Sequence, residues 1–248
     1  MNTLLENLPA DFQRDGYAVL PGFLDSSLNG RIRASVERLT EQVSLAPASW
    51  ESEVLYQGQC PPGQLAHLAG DEREQAKAEI YIIGSLARHV PDVKRLLMSE
   101  SLVAVAELAL GEAVRFHFSN LTVRAARLGC SNPWHRDFPN QYCCGVDQRQ
   151  LRLFICLDGM SEKQGGLRVV PGSHCWTDGQ WPDYKESGEA GFAGEPRTLV
   201  CPPGTLIAMH CRTVHSVLPN VSEVSRANII AQYGAASNPL AVGACELE

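Results

Sequence analysis

The chain has 248 residues and a net charge of −7, with 44% hydrophobic and 20% charged residues, the balance of a globular protein with room for a substantial core. No apolar run is long enough to cross a bilayer, and Lys and Arg are scattered without a basic stripe; a membrane span is excluded and nucleic acid is disfavoured as a partner. A single domain over residues 1–248 is the simplest organisation at this length.

In chain order, Met1 to Glu6 has no basic region leading into an apolar core, so no secretory signal is indicated and a cytoplasmic location is expected. Residues 11–25 read as a helical turn followed by a strand at Tyr17 to Leu20. Asp25 or Ser26 then serves as a helix N-cap, and Leu28, Ile32, Val36 and Leu39 recur at helical spacing to about residue 44. Pro and Gly recur from Pro47 to Gly70, which marks a connecting region. Asp71 to Lys77 is a charged helix, and Tyr81 to His89 and Pro91 to Leu110 read as helices, with Gly111 closing the second.

At Val114 the pattern changes to short β-branched and aromatic runs: 114–123, 151–157, 167–170, 198–201, 205–210, 213–217 and 226–233. Gly and Pro turns separate them. The expected fold class is mainly β with flanking helices: a helical N-terminal third to about residue 112, then a double-stranded β-helix core (jelly-roll, cupin-like) over about 113–235. The nine cysteines are odd in number and contain no C-x-x-C, so they read as reduced core residues.

Within this pattern, Trp134-His135-Arg136-Asp137-Phe138 carries the chemistry. Side chains two apart on an extended segment share a face, so His135 and Asp137 would project together as an imidazole and a carboxylate. Two histidines and one carboxylate form the facial triad that holds non-haem Fe(II) and leaves positions open for cosubstrate and O2. Six histidines remain as the third ligand: His67, His89, His117, His174, His210 and His215. His215 stands out because Arg226 follows it at the start of an apolar strand, which would carry a guanidinium into the barrel. A buried guanidinium needs an anion, and a dicarboxylate cosubstrate would meet that need. The alternative is a surface pair between Arg226 and Glu223.

With these residues in view, the chain resembles the phytanoyl-CoA dioxygenase family of Fe(II)- and 2-oxoglutarate-dependent oxygenases. The resemblance runs through Asp15-Gly16-Tyr17-Ala18-Val19-Leu20-Pro21-Gly22-Phe23-Leu24, Trp134-His135-Arg136-Asp137 and Gly165-Gly166-Leu167-Arg168-Val169-Val170-Pro171-Gly172-Ser173-His174. It continues through Pro203-Gly204-Thr205-Leu206 to His215, Asn220 and Arg226. It implies that His135, Asp137 and His215 bind iron, that Arg226 anchors the distal carboxylate of 2-oxoglutarate, and that Asn120 and Thr122 contribute cosubstrate contacts. It also implies oxidation of a C–H bond, most simply hydroxylation of a small organic molecule such as an amino acid or natural-product intermediate, with O2 consumed and succinate and CO2 released. Asn220 would orient the distal ligand or brace the following turn. One departure is Val217, where family members often carry a serine; Ser216 stands beside it. Halogenating relatives lack the carboxylate that Asp137 supplies.

Desaturation, ring closure and epimerisation would use the same residues. A zinc hydrolase or isomerase on a cupin-like barrel would share the ligands but have no use for Arg226. Arg136 and Phe138 are expected to face away from the metal side, and Arg152 and Arg168 are expected to pair with surface acids rather than meet a substrate carboxylate. Pro47–Gly70 and Cys175–Gly194 are candidate lids over the barrel mouth. The pattern sets no oligomeric state.

Overall fold

The computed structural model describes residues 5–181 and 195–247. Helix Leu8–Asp15 (α1) leads directly into strand Tyr17–Leu20 (β1). Helix Ser26–Leu45 (α2) starts where the Asp25 carboxylate accepts the Leu28 amide at 2.7 Å, a cap that contributes about 0.5–2 kcal/mol. It buries Ile32, Val36, Leu39 and Val43 along one face.

The connecting region is more structured than its Gly and Pro content suggests, since it contains strand Val54–Tyr56 (β2) before helix Gly70–Lys77 (α3). The expected helix at Tyr81–His89 is overturned. Ile80–Ile83 is a strand (β3) between β2 and the first core strand, and only Leu86–His89 (α4) is helical. Four consecutive β-branched or aromatic residues favour a pleated, half-buried surface, and non-local pairing decides between the two states. The expected Pro91–Leu110 helix is two helices, Pro91–Leu97 (α5) and Glu100–Leu110 (α6). Ser99 caps the second, and Gly111 ends it at a φ of 75°.

The core strands are Val114–Arg124 (β4), Asn132–His135 (β5), Cys144–Gly145 (β6), Gln150–Cys156 (β7), Leu167–Val169 (β8), Arg197–Thr198 (β9), Thr205–His210 (β10), His215–Val217 (β11), Arg226–Ala235 (β12) and Leu240–Val242 (β13). They form the expected jelly roll. One sheet runs β1-β10-β7-β12-β4-β3-β2, the facing sheet runs β5-β11-β8-β9, and β13 pairs with β6. Every pairing between these strands is antiparallel among the described residues. The segment before Val114 therefore contributes three strands to the larger sheet as well as helices.

Central strand β7 is buried at all seven positions, as a strand covered on both faces must be. Leu151, Leu153 and Ile155 join the helix-side core with Ile32, Val36, Leu97 and Leu102. Phe154 and Cys156 turn the other way, into a second cluster with Leu167 and Val169 of the facing sheet. The same period of two places Asn120, Thr122 and Arg124 of β4 and Arg226, Asn228 and Ile230 of β12 on the cavity side. No helix among the described residues is long and apolar enough to cross a membrane. Seven of the nine cysteines are buried. In the Cys175–Gly194 loop, residues 182–194 lie outside the described residues.

Because Leu153 is fully buried and Leu45 is 85% exposed, Leu153→Ala is expected to lower the unfolding free energy by about 2–5 kcal/mol. Leu45→Ala should change it by no more than about 0.5 kcal/mol. Urea denaturation followed by circular dichroism measures both, and equal losses would contradict this placement of the core.

Candidate active site

His135 ends β5, and β11 pairs with that strand so that His215 stands directly opposite His135. Asp137 follows two residues after His135, its amide donating to the Cys211 carbonyl at 2.9 Å. Ligand atoms of the three residues all lie within 4.8 Å of one another. Asp137 Oδ1 is 3.8 Å from His135 Nε2, and Oδ2 is 3.7 Å from His215 Nε2. The remaining histidines lie outside this group.

Each imidazole is fixed by its other nitrogen. His135 Nδ1 lies 2.8 Å from the Pro133 carbonyl, and His215 Nδ1 lies 2.9 Å from that of Thr213. A carbonyl only accepts, so both Nδ1 atoms carry the proton and both Nε2 lone pairs face the group. Burial, reinforced by His135, pushes the His215 pKa down to about 3, so its ring is neutral at pH 7.

Asp137 is buried, and its Oδ2 has no hydrogen-bond partner. Burial opposes its ionisation, but Arg152 and then the two histidines outweigh that and hold the carboxyl below its ordinary range. Arg152 Nη1 sits 2.8 Å from Asp137 Oδ1, and Nη2 donates to the Tyr142 hydroxyl. The expectation of a surface pair for Arg152 is therefore wrong. Its position on β7 aims it into the barrel, where it meets a carboxylate fifteen residues earlier in the chain. Arg168 lies outside this cavity, its guanidinium 4.9 Å from the Trp134 ring centroid.

The group opens on a cavity of about 490 Å³. Asn120 and Thr122 line it, and the Thr122 hydroxyl donates to the Asn228 carbonyl at 3.3 Å. Arg226 lines it too, buried rather than paired with Glu223, which instead lies 3.5 Å from Arg127. The Arg226 guanidinium is held by backbone: Nε donates to the Gln164 carbonyl at 2.8 Å and Nη2 to that of Gly165. Gly165 has a φ of 76°, and a Cβ there would lie 2.9 Å from the Leu218 carbonyl oxygen, so the turn presenting these carbonyls requires glycine. Burial, then repulsion from Arg124, lowers the Arg226 pKa to about 10, still well above neutrality.

Asn220 braces the turn, donating to the carbonyls of Arg124 and Val224 at 2.9 Å each. Val217, the departure from the serine that family members often carry, lines the cavity. Phe138 does not line it. Arg136 does, contrary to expectation, because β5 ends at His135 and the strict alternation of a strand ends with it. Arg124 was also missed. It faces Arg226 across β4 and β12, its guanidinium 4.6 Å from the Tyr81 ring centroid. A cation closing a strand whose two preceding alternate residues, Thr122 and Asn120, are polar is the available signal for it.

The donor set fits a ferrous ion: two imidazoles presenting Nε2, one ionised carboxylate and an orphaned buried carboxylate oxygen. The family described as phytanoyl-CoA dioxygenase matches residues 12–228. The ectoine dioxygenase of Sphingopyxis alaskensis is 27% identical over 252 residues, which cover 93% of this chain and 76% of that protein. Among solved structures, EctD from S. alaskensis with 2-oxoglutarate and 5-hydroxyectoine superposes with a TM-score of 0.71 at 24% identity, covering 94% of this chain and 77% of the other. The non-heme alpha ketoglutarate dependent epimerase SnoN from nogalamycin biosynthesis does so with a TM-score of 0.73 at 22% identity, covering 96% and 85%. These two share the fold. The match over residues 12–228 places the chain in the phytanoyl-CoA dioxygenase family of non-haem Fe(II)- and 2-oxoglutarate-dependent oxygenases.

Proposed function

We propose that His135, Asp137 and His215 hold the ferrous ion, that Arg226 binds the distal carboxylate of 2-oxoglutarate, and that the enzyme hydroxylates a C–H bond of a small organic molecule. The observation that carries this is the meeting of three ligand atoms in a cavity that also contains a buried guanidinium making no ion pair among the described residues. Bound iron, with 2-oxoglutarate and O2, would supply the oxidising power for C–H cleavage, with succinate and CO2 released.

The residues of the chain do the positioning. Pro133 and Thr213 carbonyls orient the two imidazoles, and Arg152 holds Asp137 ionised and in place. Arg226, fixed by the carbonyls of residues 164 and 165, offers a charge-assisted contact to a diacid. Asn120 and Thr122 supply neutral polar atoms along the cavity wall. An amino acid or natural-product intermediate is the substrate class in view, and the likeness to ectoine dioxygenase supports a small polar molecule. Epimerisation, desaturation and ring closure would employ the same residues, so product analysis separates them.

The first 112 residues and the jelly roll act as one domain on this account, since β1, β2 and β3 extend the sheet that bears the site. Cysteines that are mostly buried, odd in number and without a C-x-x-C fit the reducing cytoplasm. The scattered basic residues fit a small-molecule rather than a nucleic-acid partner.

Succinate formation with Fe(II), 2-oxoglutarate and O2 should fall to background in Asp137→Ala; persistent turnover would remove Asp137 from the ligand set. Titration of 2-oxoglutarate into zinc-loaded protein should show Arg226→Met weakening binding about ten- to a hundredfold, the worth of a hydrogen bond to a charged group. An unchanged affinity would refute the anchor. Arg152→Met should weaken metal binding by about ten- to a hundredfold, as loss of a group that orients a ligand does. Competition with a chelating dye reads this directly, and wild-type affinity in the variant would show that the ion pair is dispensable.

A further inference from the structure

The wall of the cavity is far more positive than cosubstrate binding requires. Arg124, Arg136, Arg152 and Arg226 all line it, and Asp137 is its only carboxylate among the described residues. The excess is three positive charges. A ferrous ion and the 2-oxoglutarate dianion cancel one another, so the excess survives when both are bound. In a small cavity with low-dielectric walls such a field concentrates anions and repels cations.

Three of the four cations have assigned tasks. Arg152 is paired with Asp137. Arg226 and Arg124 face each other across β4 and β12, where a distal carboxylate would relieve their mutual repulsion. Arg136 is different. It lies in the chain between His135 and Asp137, makes no ion pair among the described residues, and makes one hydrogen bond, from Nη2 to the Ser173 carbonyl at 3.2 Å. Its guanidinium carbon is 5.4 Å from the Trp181 ring centroid, a contact that holds the planar group. The nearby Asp178 is engaged by Arg212 at 3.1 Å.

Resting on the oxygenase assignment, we propose that the substrate carries an oxyanion, a carboxylate or a phospho-oxyanion, and that Arg136 binds it beside the metal ligands. A neutral substrate filling the cavity would strip water from Arg136 and return nothing for it, at the cost of a desolvated, unpaired charge. An oxyanion meets the planar donors of the guanidinium with two acceptors. Attachment through Arg136 would also fix the position of the substrate relative to the neighbouring ligand cluster, and so would help choose which C–H bond is presented.

The test uses full-length protein loaded with Zn(II), which is redox-inert, and saturated with 2-oxoglutarate so that the distal anchor is occupied. Calorimetric titration compares cyclopentanecarboxylate with cyclopentanecarboxamide, and methylphosphonate with dimethyl methylphosphonate. At least one anion should bind about tenfold or more tightly than its neutral counterpart, and the better anion identifies the class. Arg136→Gln should remove that preference, while Arg136→Lys keeps part of it through charge without the paired donors. With 2-oxoglutarate binding intact, equal affinity for anion and neutral counterpart, no anion binding, or an unaffected preference in Arg136→Gln would each overturn the proposal alone. Failure of wild-type protein to bind 2-oxoglutarate would overturn the oxygenase assignment and this proposal with it.

Discussion

The site depends on the antiparallel pairing of β5 with β11, which sets His215 opposite His135 although eighty residues separate them in sequence. Side chains alternate along a strand, so a slip of one residue would turn the His215 imidazole to the other face. The register is held on both sides. β8 pairs with the far edge of β11 through Val169 and Leu167, and those two residues are anchored in the cluster between the sheets. Below β11, Ser173 receives the Val214 amide on its hydroxyl at 2.8 Å while donating to the Val170 carbonyl at 2.6 Å. Packing and hydrogen bonding thus fix how His135, Asp137 and His215 meet, as the proposed metal site requires.

The second constraint is electrostatic. Burying a carboxylate without a partner is costly, and the fold meets that cost at Asp137 with the Arg152 guanidinium 2.8 Å from Oδ1. The same sheet then carries Arg226 and Arg124 inward with no acid to match. Arg226 is steadied by backbone carbonyls and Arg124 by the Tyr81 ring and the Cys130 sulfur. These contacts orient the guanidiniums without neutralising them, which leaves the cavity suited to a diacid at that end.

Much of this was legible in the sequence because it is written locally. The Asp25 cap, the β-branched runs after Val114 and the His135-x-Asp137 spacing each follow from a few adjacent residues. His215 and Arg226 were legible together, since a lone cation opening an apolar strand demands an internal partner. What escaped depends on distant pairing. Ile80–Ile83 has the length of a helical turn and becomes a strand because β2 and β4 flank it. Arg152 reads as a surface cation until β7 aligns it with Asp137, and Arg136 reads as outward-facing until β5 stops one residue before it. Arg124 gains its meaning only from standing opposite Arg226.

The central claim is that one ferrous ion and one 2-oxoglutarate bind together at this cluster. Anaerobic titration of the iron-loaded protein with 2-oxoglutarate, followed by visible absorption, tests it most directly, because chelation of Fe(II) by the keto acid gives a charge-transfer band. The account predicts a band that saturates at one equivalent per chain and is absent when His135 and His215 are both replaced by alanine in a folded variant. A band that persists in that variant, or none in the wild type, would contradict it.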